Sequence, residues 1–104
     1  MPDDRTEKAK RRAARELVGD YHERELTRLL ERMREGFAQL DAGEVDAFDL
    51  DELVHRYKRS ARELWKFCNV SRSETVAWLI NDAREQGEEV DWWAAGEPRR
   101  QRDC

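Results

Sequence analysis

The chain reads as an all-α protein: an antiparallel two-helix hairpin over about 20–40 and 49–68, with a third helix over about 72–86. Three observations predict this. Apolar residues recur at steps of three and four through every long segment, and no strand-like alternation occurs anywhere. An acid or serine followed three residues later by an acid, the pattern of a capping box, stands at the head of each helix. Five glycines and two prolines in 104 residues leave few interruptions, and these mark element ends. An N-terminal helical arm and a Trp-containing tail complete the layout. Residues 1–19 form a charged arm or helix, 20–96 a single helical domain, and 97–104 a disordered tail.

The N-terminal segment, residues 3–18, consists mostly of helix formers with six basic and four acidic side chains. Gly19-Asp20 then predicts a stop, with Asp20 and Glu23 at capping-box spacing. Beyond it the apolar stripe runs Leu26, Leu30, Met33, Phe37, Leu40, alternating steps of four and three. Extended backwards it meets His22 and Gly19 and leaves Leu17 and Tyr21 on the opposite side. Residues 3–18 are therefore expected as a separate helix or a loosely ordered arm.

The second helix is expected from Asp49, with Glu52 completing its capping box, and it is the most strongly patterned element. Leu50, Leu53, Val54, Tyr57, Ala61, Leu64, Trp65 and Cys68 make one apolar face. Acids gather at its start, and Arg62 and Lys66 near its end, as the helix dipole favours. A third helix is expected from Ser71, with Glu74 at the capping position, through Val76, Leu79, Ile80 and Ala83 to a stop at Gly87. Trp92 and Trp93 lie in the polar tail beyond.

The short polar connection 41–48 makes the two long helices antiparallel neighbours. A turn near residue 45 sets Phe37 against Leu53, Met33 against Tyr57, Leu26 against Leu64 and His22 against Cys68. Two helices alone bury too little apolar area to offset chain entropy. A second copy, giving a four-helix core, is the expected cover, since both stripes keep a near-heptad step. A monomeric three-helix bundle is the competing arrangement.

Charged residues are 42% of the chain and apolar ones 38%, which implies a thin core and a large wet surface. No apolar run approaches the ~20 residues that span a bilayer. The first residues carry no signal-peptide pattern, so a cytoplasmic protein without a membrane role is expected. A net charge of −4 disfavours nucleic acid as a partner of the whole surface but leaves room for a local basic face. Cys68 and Cys104 are expected to be free thiols. Sixteen of the 20 basic residues are arginine, a skew associated with G+C-rich bacterial coding.

Chemistry finds little foothold. The segment 41–52 has the length of a calcium loop, but Gly43 and Val45 stand where oxygen ligands are needed. Glu52 and His55 have a di-iron spacing but fall away from the apolar stripe. No nucleophile motif or phosphate loop occurs, so no catalytic residue, cofactor or metal site is assigned, and an enzyme is not expected. His22 and Cys68 are a candidate buried pair, read as packing, with a reactive thiolate or a shared zinc as the alternative. The basic outer face of the second helix (His55, Arg56, Arg59, Arg62, Lys66) reads as a solvated face.

Residues 67–76, Phe-Cys-Asn-Val-Ser-Arg-Ser-Glu-Thr-Val, resemble the turn and recognition-helix start of helix-turn-helix repressors. The resemblance implies a DNA-binding segment over 65–81, with Ser71, Arg72, Ser73 and Thr75 as candidate nucleic-acid contacts. Leu40-Asp41-Ala42-Gly43-Glu44, Tyr57 and Glu63-Leu64 before Cys68 resemble the small subunit of exonuclease VII over residues 26–68, implying a non-catalytic accessory subunit of a nuclease. The tail from Arg84 to Trp93 is similar to that of uncharacterised small all-α proteins of G+C-rich bacteria. The leading expectation is a non-enzymatic protein that acts by association, as a homodimer or with another protein. Trp92 and Trp93 are its candidate partner interface, unless they fold back on the chain.

Overall fold

The computed structural model describes residues 4–98. These form four helices and, among the described residues, no strand: α1 (Asp4–Asp41), α2 (Ala47–Cys68), α3 (Ser73–Glu85) and the single turn α4 (Trp92–Ala95). α1 packs on α2 and on α3, while α4 rests mainly on α2. At 38 residues α1 is about 57 Å long, whereas the 22 residues of α2 reach only about 33 Å. The molecule is correspondingly elongated, 64 × 38 × 22 Å.

The expected break at Gly19-Asp20 does not occur, and the segment taken for a separate arm is the first half of α1. A glycine inside a helix costs only about 1 kcal/mol relative to alanine, and packing outweighs that. Ala14, Val18, Glu25, Leu29, Met33 and Gly36 are buried in one continuous stripe that crosses the glycine, with Tyr21 half-buried beside it. The stripe continues because the two halves of α1 face different partners. Its upper half shares the core with Val76, Ala77 and Ile80 of α3, and its lower half meets α2. Leu17 and Tyr21, expected on the far side, pack against this core, whereas Leu30 and Phe37 remain about half exposed.

α2 begins two residues before Asp49. Asp46 is the N-cap: its side chain accepts from the Asp49 backbone N–H at 2.9 Å, and Asp49 accepts from the Asp46 N–H at 3.0 Å. The box is built of Asp46 and Asp49 rather than Asp49 and Glu52. α3 starts at Ser73 with Arg72 as N-cap and no side-chain cap bond, so the expected Ser71–Glu74 box does not form. Glycines end α1 and α3 alike. Gly43 (φ 75°) and Gly87 (φ 69°) take the left-handed conformation that glycine adopts without strain. In each case the residue after the glycine donates back to a carbonyl five positions earlier, Glu44 to Gln39 at 2.9 Å and Glu88 to Ala83 at 2.8 Å.

α1 and α2 touch at both ends of α2. Gly36 sits against Leu50 and Leu53, where a Cβ would collide with the Leu53 side chain and crowd that of Leu50. At the other end the Tyr21 ring lies 5.9 Å from the Phe67 ring.

Candidate interaction surface

The α1–α2 pair has two flanks, and the chain covers one of them. On that flank Tyr21, Phe67 and Trp92 form an aromatic chain, the last two rings 5.4 Å apart. The Trp92 indole N–H donates to the Tyr21 hydroxyl at 2.9 Å, a bond that joins positions 71 residues apart. Two guanidinium groups lie over the Trp93 ring, Arg56 at 4.7 Å and Arg32 at 5.5 Å from its centre. Its carbonyl accepts from Arg56 Nε and Nη2 and from the Ser60 hydroxyl, at 3.2–3.3 Å. Arg59 Nε donates to the Gly96 carbonyl at 2.7 Å, and Arg56 pairs with Glu97 at 3.2 Å.

Gly96 makes this docking sterically feasible. A Cβ there would meet the Ser60 hydroxyl, the Ser60 backbone nitrogen at 2.6 Å and the Arg56 carbonyl oxygen at 2.9 Å. Part of the basic face of α2 therefore serves as a clamp for the C-terminal turn. The two tryptophans expected as a partner interface are placed against α1 and α2 of their own chain, Trp92 buried and Trp93 half-buried. Of the expected tail 97–104, Glu97 is held by Arg56, while 99–104, Cys104 included, lie outside the described residues.

Cys68 is buried, and burial pushes its thiol up to about 11, helped by the Glu25 carboxylate. The same burial raises Tyr21, partly offset by its bond to Trp92. His22 is only half-buried, and no hydrogen bond or ion pair joins it to Cys68 among the described residues. Glu25, whose charge disfavours the thiolate, is 8% exposed and paired with Arg28 at 3.5 Å. A thiol raised this far stays protonated and inert at neutral pH. Ser71, Arg72 and Thr75 are exposed and Ser73 is half-buried at the start of α3. Glu52 and His55 face water, and His55 lies 3.4 Å from Asp51.

A groove of about 280 Å³ lies between α1, α3 and the loop after it, with Tyr21, Phe67, Ile80 and Val90 as apolar wall and Glu25 and Arg28 in its lining. Among the described residues, none covers the opposite flank of the α1–α2 pair. Leu30, Phe37 and Trp65 are 48%, 53% and 58% exposed. By helical spacing Leu30 and Phe37 lie to one side of buried Met33, away from Arg32 and Glu25. Trp65 and Val54 lie correspondingly to the side of α2 away from Ser60 and Arg56, the residues that face α4. This strip is missed by a reading that puts every apolar side chain of a stripe in one core.

Comparison with protein-family models, with curated proteins and with solved structures finds no match.

Proposed function

We propose that this chain is a non-enzymatic helical protein that acts by association, and that its first partner is a second copy of itself. In this reading α1 and α2 form an antiparallel hairpin whose uncovered flank closes on the same flank of another copy, giving a four-helix core. The observation that carries the reading is the strip of Leu30, Phe37 and Trp65, three large apolar side chains left half in water on one flank. Leu30 and Phe37 lie on the exposed edge of a longer seam whose other members, Leu26, Met33 and Leu40, are buried or half-buried. Leu26, Leu30, Met33, Phe37 and Leu40 keep the alternating four-three step of helices that wrap about one another. Completing the burial of such side chains is worth roughly 1 kcal/mol each from the exposed half. Large aromatic residues near the centre of an interface carry most of its energy. The tryptophans of the tail are used within the chain, so the partner-facing aromatic is Trp65.

Fluorine resonances of 5-fluorotryptophan protein test this at residue resolution. On dilution the Trp65 signal is expected to move with concentration, while that of Trp78, 63% exposed on α3, stays fixed. Concentration-dependent movement of Trp78 with Trp65 constant would assign the contact to α3 instead.

A further inference from the structure

The upper end of α1 extends past its neighbour. α2 ends at Cys68, level with Tyr21, since the Phe67 and Tyr21 rings are in contact. Above that level α3 packs against the side of α1 that carries Ala14 and Val18. The side of α1 that faces α2 lower down is exposed there, with no helix of the described residues against it. Lys8, Arg11, Arg12 and Arg15 occupy that side, at positions i, i+3, i+4 and i+7 of one face, and all four are exposed. None of the four is held by an ion pair or hydrogen bond among the described residues. Residues 5–15 carry six cations and one acid, a net +5 in a chain of net −4, so the remainder is at −9. The charge of the molecule is strongly segregated.

We propose that this cationic face is a docking surface for the phosphate backbone of duplex DNA, bound without regard to sequence. Charge complementarity selects the occupant. Four cations within about 10 Å of helix oppose a polymer that carries one negative charge per ~1.7 Å of its axis. The face contains no exposed apolar anchor, its exposed non-polar neighbours among the described residues being Ala9 and Ala13, whereas protein interfaces bury aromatic and aliphatic side chains at their centre. For the same reason it lacks the greasy side with which an amphipathic helix enters a lipid surface. An α-helix of ordinary diameter also fits the width of the B-form major groove. The surface is separated from the apolar flank along the axis of α1, about five turns nearer the N-terminus.

The test is fluorescence anisotropy of a labelled 20-base-pair DNA duplex of mixed sequence, titrated with the full chain at 50 and 200 mM salt. Four phosphate contacts give a log–log salt slope near −3.6, a loss of roughly 150-fold in affinity over that range. Replacing Lys8, Arg11, Arg12 and Arg15 together by glutamine, itself a good helix former, is expected to weaken binding at 50 mM salt by at least tenfold with the circular dichroism unchanged. A scrambled duplex is expected to bind within twofold of the first. Absence of binding at 50 mM salt, or binding untouched by the four glutamines, would overturn the proposal. Tighter binding to poly-glutamate or to anionic phosphatidylserine vesicles than to the duplex would also overturn it, and assign the face to an acidic protein or a membrane surface.

Discussion

At Gly96 the absence of a side chain decides whether the C-terminal turn can dock. The backbone there has φ −89°, which any residue adopts, so the requirement is space and not conformation. Gly96→Ala is expected to lift residues 92–97 from α2, at a cost of about 1–3 kcal/mol, with a red shift of tryptophan emission as Trp92 meets water. Unchanged emission and stability would show that the turn has slack. Cys68 gives a second test at this scale. Its thiol titrates near 9.0 in the unfolded chain and about 11 in the folded one, so the fold favours the neutral form. Stability from this group is complete below pH 9 and falls as pH rises toward 11, where the unfolded chain ionises first. Tyr21, also raised by burial, acts in the same direction from a higher starting point. The urea midpoint is therefore expected to decline between pH 9 and 11, and less steeply in Cys68→Ala. Equal slopes in the two proteins would mean that the thiol is not the group responsible.

Among the elements, α1 shows how far a local signal can be overruled. Gly19-Asp20 followed by Glu23 has every mark of a helix boundary, yet the helix runs through it. The deciding information was in Leu17 and Tyr21, which looked misplaced only because one partner was assumed for the whole helix. Two partners, α3 above and α2 below, turn the same residues into one stripe. Gly19→Ala tests this directly. A Cβ at Gly19 meets nothing within 4 Å, so the substitution is expected to stabilise the protein by up to about 1 kcal/mol. Destabilisation would indicate a real break in the helix at that point. The helix class, the strong pattern of α2 and the stop at Gly87 were legible because each rests on residues close in sequence. The start of α2 was misread because three acids, Asp46, Asp49 and Glu52, offer two overlapping boxes. The clamp of Arg56 and Arg59 on residues 93–97 was not legible: it joins positions 37 to 41 apart, and nothing in their spacing announces it.

Over the whole molecule, burial is uneven in a way that defines its surfaces. α4 adds Trp92 and Trp93 to Tyr21 and Phe67 on one flank of the α1–α2 pair, while the other flank keeps Leu30, Phe37 and Trp65 about half exposed. The radius of gyration is 17.9 Å against about 13 Å for a compact chain of this length, and the long α1 accounts for the difference. No helix among the described residues is long and apolar enough to cross a membrane. In the proposed association the exposed strip of Leu30, Phe37 and Trp65 meets the same strip of a second copy. The decisive measurement is the solution mass by light scattering across 1–100 μM protein (roughly the range over which modest interfaces assemble), for the natural chain and for Leu30→Glu with Phe37→Glu. Association through this flank requires twice the chain mass at the upper end and a single chain mass in the double variant, with its helix content kept. A single chain mass throughout, or a dimer that survives both glutamates, would contradict it.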